Sequence, residues 1–140
     1  MIELKSRTEL DAMREAGRVV AAALAVVRDQ ARVGGTLREL DDVARTVLDE
    51  AGAHPLFLDY HPRWAPRPFP GTICASVNDA IVHGPPGPTV LRAGDLVSID
   101  CGARVDGWCA DAAVTFSVGT AHPEDTRLVD AAWQALDDGI

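Results

Sequence analysis

No apolar run in this chain of 140 residues is long enough to cross a bilayer. The N-terminus is charged and lacks the apolar stretch of a secretory signal. Cysteine is scarce: there are three, an odd number without motif spacing. That usage excludes a disulfide framework and a cysteine-bound zinc, and fits reduced thiols in an intracellular protein. Positive charge is also short, with 13 Lys and Arg against 21 Asp and Glu and a formal net charge of −8. Such a field argues against nucleic acid or an anionic membrane as the main partner, and suits divalent cations or cationic N-termini better. Low-complexity segments and short repeats are missing too. What remains is an ordinary globular composition, 47% hydrophobic and 24% charged, in one domain's length of chain with enough residues to bury a core. The expectation is a soluble, cytoplasmic protein.

The most informative stretch is SIDCGARVDGWCAD, from Ser98 to Asp111. Asp-Gly between alternating apolar residues signals a two-residue hairpin turn, which needs positive φ at both central positions. With Asp106-Gly107 at the tip, Val105 opposes Trp108, Gly102 opposes Asp111, Cys101 opposes Ala112, Ile99 opposes Val114 and Val97 opposes Phe116. Opposed residues share a face and faces alternate with period two. One face then collects Val97, Ile99, Cys101, Ala112, Val114 and Phe116. The other collects Ser98, Asp100, Gly102, Asp111, Ala113 and Thr115. A slip of one residue would mix the two sets. Asp100 and Asp111 become diagonal neighbours with Cβ atoms roughly 7–8 Å apart, a gap that two metal ions about 3.5–4 Å apart could fill. Paired acids on an open sheet face are ordinarily just solvated. Here no Lys or Arg stands opposite them, and like charges so close are destabilising without a cation between.

Around the hairpin the chain reads as α+β. Ser6-Arg7-Thr8-Glu9 and Thr36-Leu37-Arg38-Glu39 are capping-box patterns. They open a helix through Arg32, closed by Gly34-Gly35, and a second one ended by Gly52. Leu10, Met13, Ala16, Val20, Leu24 and Val27 form the core stripe of the first; Leu37, Leu40, Val43, Ala44, Val47 and Leu48 form that of the second. Pro55 to Pro70 holds five prolines and four of the seven aromatic residues, which predicts an ordered loop rather than a helix, central strand or linker. Thr72–Val77 is a strand, Asn78-Asp79 a turn, and Arg92–Asp95 a turn into the hairpin. A third helix starts at His122-Pro123-Glu124. Among the histidines, His122 is solvated at a helix start and His54 suits a helix end. His61 and His83 are equally consistent with buried, hydrogen-bonded side chains and with roles in metal binding or proton transfer.

SVNDAIVHGPPG, from Ser76 to Gly87, followed by GDLVSIDCGARVDGWCADAAVTFSVG, from Gly94 to Gly119, closely resembles the N-terminal half of type I methionine aminopeptidases. The likeness extends to the opening MREAGRVVA and to FLDYH. It implies a pita-bread metallopeptidase fold, two pseudo-symmetric α+β halves around a dinuclear site, with residues 1–140 forming the first half-domain. It also implies two divalent ions (Co, Mn, Fe or Zn), with Asp100 as a bidentate ligand of one and Asp111 bridging both. His83 matches the histidine that hydrogen-bonds substrate and assists at the scissile amide. Phe57, Tyr60, Phe69 and Cys74 match the pocket for the methionine side chain, with His61 beside them. The implied activity is removal of N-terminal methionine from nascent polypeptides, by a cytoplasmic enzyme that is monomeric and open to association with the ribosome. FLDYHPRWAPRPFPG is longer than the family's usual stretch, and HGPPG replaces the commoner HG-Ile-P-G. The family's other ligands, a histidine and two glutamates, and its second acid–base histidine belong to a C-terminal half. The isolated 140 residues are therefore expected to bind metal weakly, to be inactive, and to associate through an open sheet edge. Two rivals remain: a non-catalytic relative that binds peptides, disfavoured by the paired aspartates, and a proline-specific peptidase of the same fold, disfavoured by Tyr60 and Cys74.

Overall fold

The computed structural model describes residues 4–140. Its elements are α1 (Arg7–Gln30), α2 (Leu37–Glu50), β1 (His54–Pro55), β2 (Ile73–Val77), β3 (Leu96–Val105), β4 (Trp108–Ser117) and α3 (Pro123–Gly139). Both capping boxes form: Ser6 and Thr36 cap α1 and α2 through Glu9 and Glu39. Their reciprocal bonds satisfy backbone N–H groups that the first helical turn leaves without partners, and they hold both glutamate carboxyls below the usual range.

The hairpin has the expected register. Asp106 and Gly107 take φ of 47° and 86°, and β3 pairs β4 antiparallel from Leu96↔Ser117 to Val105↔Trp108. β4 runs along one whole edge of β3. The opposite edge pairs with β2 at residues 97–101 and with β1 at 103–104. Val97, Ile99, Cys101 and Ala103 alternate along β3 and are completely buried. They face Val20, Leu24 and Val27 of α1 and Leu40, Ala44 and Leu48 of α2, which form one continuous cluster with them. Val114 and Phe116 pack against its margin; Ala112 stays exposed. The result is two layers, with α1 and α2 on the apolar face of an antiparallel sheet.

Three expectations change. α1 ends at Gln30 rather than Arg32, and Leu10 and Met13 remain exposed, because the buried stripe of α1 begins only at Ala16. His54 is not the end of a helix but half of β1, whose two residues are too short to show a period. On α3, Leu128, Trp133 and Leu136 stay about half exposed and lie outside the core.

One side chain ties the helical layer to the start of β2. Asp41, 5% exposed on α2, accepts hydrogen bonds through Oδ1 from the backbone N–H of Thr72 (2.6 Å) and Ile73 (3.0 Å). Its Oδ2 pairs with Arg45 at 3.1 Å. Asp41→Ala would strand two buried N–H groups and is expected to cost about 3 kcal/mol, read as a lower urea midpoint with an unchanged denaturant slope. A loss below about 0.5 kcal/mol would show that the bonds are replaced by water.

Candidate active site

The polar face of the hairpin turns away from α1 and α2, and Asp100 and Asp111 both lie on it. Asp111 stands directly across from Gly102. A Cβ at Gly102 would come within 3.0 Å of Asp111 Oδ2 and of the Phe57 ring, so the missing side chain is what leaves room for both. Across the other edge, Cys74 pairs with Asp100. Cys74 and Asp100 are therefore directly opposed, and Asp111 is the diagonal neighbour of Asp100.

A cavity of about 710 Å³ opens above these residues, within the size range of small-molecule sites. Asp100 and Asp111 border it, as do His83, Cys74, Phe57, Tyr60 and Phe69. Seven of the eight residues singled out in the sequence thus meet around one space. His61 does not. It is exposed, and its Nε2 lies 3.0 Å from the Ala65 carbonyl oxygen, inside the loop that carries it. The proline-rich segment adds residues that sequence reasoning did not single out: Pro62, Trp64, Ala65, Pro66, Arg67, Pro68 and Pro70 also border the cavity, as does Pro85 from the His83 segment. The one visible signal of the proline-rich residues was the concentration of rigid and aromatic side chains in a single loop.

His83 is held by its neighbours. Its φ is +58°, a left-handed conformation that histidine adopts more readily than most residues. The next residue, Gly84, donates its N–H to Ser76 Oγ at 3.1 Å, and its carbonyl accepts from the Ala75 N–H at 2.8 Å. A Cβ at Gly84 would collide with the Ala75 carbonyl oxygen. Ser76 is buried, so the His83 segment is fastened to β2 at a fixed height. The Asn78 turn is fastened as well: Asn78 Oδ1 accepts from the Leu96 N–H, and Asn78 Nδ2 donates to Asp95, both at 3.0 Å.

The electrostatics of the floor are unfavourable without a counter-charge. Burial and, after it, the facing Asp111 charge push the Asp100 carboxyl above its ordinary range, while His83 pulls it the other way. Asp100 Oδ1 is buried and has no hydrogen-bond partner among the described residues. Burial, followed by the two aspartate charges, drives the Cys74 thiol up to about 12. Cys74 is therefore a neutral wall residue rather than a thiolate. An orphaned carboxylate oxygen beside a second carboxylate is a donor pair suited to a hard divalent cation. Among the described residues, no group of three or more His, Cys, Asp or Glu converges.

Residues 11–140 match metallopeptidase family M24. The chain belongs to that family. Over its full length it is 48% identical to methionine aminopeptidase 1 of Mycobacterium tuberculosis, covering 51% of that protein. Among solved structures, methionine aminopeptidase from Thermotoga maritima superposes with a TM-score of 0.91 at 33% identity, and that from Rickettsia prowazekii with 0.92 at 30%. In both cases the whole chain matches 54% of the other. The chain thus spans about half the length of the curated relatives it matches. Membership gives the pita-bread α+β fold and implies divalent metal as cofactor.

A carboxyl whose native pKa is raised favours the fold most when protonated. That stability is fully present below the ordinary carboxylate pKa and is lost as pH rises through the native value. Asp100→Asn should therefore stabilise the metal-free protein near ~pH 7, and the gain should vanish near ~pH 3. Urea unfolding at the two pH values reads the difference; equal stability of the two proteins at neutral pH would show that Asp100 bears no such burden.

Proposed function

We propose that this M24 chain furnishes half of the active site of a metal-dependent aminopeptidase that removes N-terminal methionine from polypeptides. The observation that carries this reading is the meeting of Asp100, Asp111, His83 and an aromatic wall around one cavity. Residues 1–140 act as the first half-domain, and residues outside this chain complete the ligand set. Asp100 and Asp111 would hold two divalent ions, and a carboxylate pair accepts Mn, Co, Fe or Zn without choosing among them. When bound, such ions supply Lewis acidity toward a carbonyl and acidify water.

The chain's own residues supply position and selectivity. Phe57, Tyr60, Phe69 and the neutral Cys74 offer an unbranched apolar side chain a wall without charge, which suits methionine. Desolvation by that wall strengthens the electrostatic interactions at the floor. His83, held on the Ser76–Gly84 anchor, borders the same cavity as Asp100, and its imidazole can donate or accept a hydrogen bond at the amide being cleaved. The free thiols of Cys74, Cys101 and Cys109 support a reducing, cytoplasmic setting.

His83→Ala in the metal-loaded full-length protein is expected to lower turnover of a Met-Ala-Ser peptide by about 10²-fold with metal content unchanged. Asp111→Asn should instead lower metal content, measured by elemental analysis. Loss of metal in the His83 variant would reverse the two roles, and failure of the parent protein to release methionine would sink the reading.

A further inference from the structure

The segment between Tyr60 and Phe69 is a small loop closed on itself. The Asp59 N–H donates to the Phe69 carbonyl at 3.0 Å, and the Phe69 N–H to the Tyr60 carbonyl at 2.9 Å. Inside it, the Ala65 N–H donates to the Pro62 carbonyl at 2.9 Å, and His61 closes on the same residue's carbonyl. Ends pinned together, with prolines at 62, 66 and 68, give a compact loop with few conformations to lose on binding. It holds Trp64, 85% exposed, and Arg67 at the border of the cavity.

Arg67 is the one Lys or Arg bordering the cavity among the described residues. It forms no ion pair with any of them. The cavity therefore carries two signs of charge, carboxylates on its floor and a guanidinium on its rim, separated by aromatic and proline walls. A net charge of −8 repels acidic peptides at long range. That diffuse repulsion is screened beyond a Debye length of about 8 Å, whereas a guanidinium beside the path of the chain acts within contact distance. Arginine also meets a carboxylate with two parallel donors, which a solvated lysine does not.

Building on the aminopeptidase reading, we infer that Arg67, presented on the Tyr60–Phe69 loop, is a specificity-determining residue that selects peptides carrying an Asp or Glu side chain downstream of the N-terminal residue. The ammonium group sits over the floor and the first side chain against the aromatic wall. The chain then leaves past the rim, where Arg67 meets the acidic side chain. An exposed pair of this kind shifts affinity only a few-fold, so the effect belongs in relative specificity.

The test uses the metal-loaded full-length protein and Met-Ala-Xaa-Ser and Met-Ala-Ser-Xaa peptides with Xaa as Asp, Ser or Lys. At low salt the ratio of kcat/KM for Asp over Lys should be about threefold or more at one position, and should fall as salt is added. It should disappear in Arg67→Ala and invert in Arg67→Glu, with the Ser peptide as internal reference for any general change. A ratio that Arg67→Glu leaves unmoved overturns the inference, whatever its value in the parent. If no peptide is cleaved, the aminopeptidase reading fails separately. Dissociation constants of the same Asp and Lys peptides, by calorimetry, then still decide the role of Arg67: no difference between parent and Arg67→Glu would overturn it.

Discussion

The two-residue turn at Asp106-Gly107 is the constraint on which the rest of the structure depends. Positive φ at both residues fixes the twist of the hairpin, and with it the register of ten opposed pairs. Because side chains alternate with period two, that one register sends Val97, Ile99, Cys101 and Ala103 to the helices and Asp100 and Asp111 to the open face. A slip by one residue would bury two carboxylates in the core and expose its centre. Core and site are therefore two consequences of a single geometric choice, and neither can move without the other.

The same arrangement places opposing demands on β3. Its inner face is packed without exposure, which stabilises the sheet. Its outer face holds a half-buried carboxylate, raised in pKa by burial and by a like charge, with one oxygen lacking a partner among the described residues. The core offsets that burden in the chain itself, and a divalent cation would turn the repulsion into coordination.

Loops complete the site, and each is fastened by a short polar contact rather than by packing. Asp41 holds the start of β2, Ser76 and Gly84 hold the His83 segment, and Asn78 with Asp95 holds the turn between β2 and β3. Hydrogen bonds of this kind fix distance and direction better than apolar contacts, which tolerate sliding. The Tyr60–Phe69 loop is instead closed by backbone hydrogen bonds among its own residues and Asp59, and it borders the cavity.

Local chemistry is legible in the residues of this chain. Ser6, Thr36, Asp106 and Gly107 each state a cap or a turn within four residues of sequence, and alternation along residues 97–105 states which face is buried. The acidic pair follows from the same alternation, and the motifs around His83 and the two aspartates carried the family. Tertiary structure decided what depends on distant partners. It brought Phe57, Tyr60, Phe69, Cys74 and His83 to the aspartates across gaps of 17 to 54 positions, turned His61 back onto its own loop, and gave Arg67 a place on the rim. It also left Leu10, Met13 and the apolar side of α3 outside the core. An apolar stripe shows that a helix has a face to bury, but only the packed neighbours set how much of that face is covered. Capping and turn formation are contests among adjacent groups, which the sequence holds together. Convergence is a contest among loops anchored far apart, and it is resolved by where Asp41, Ser76 and Gly84 fasten them.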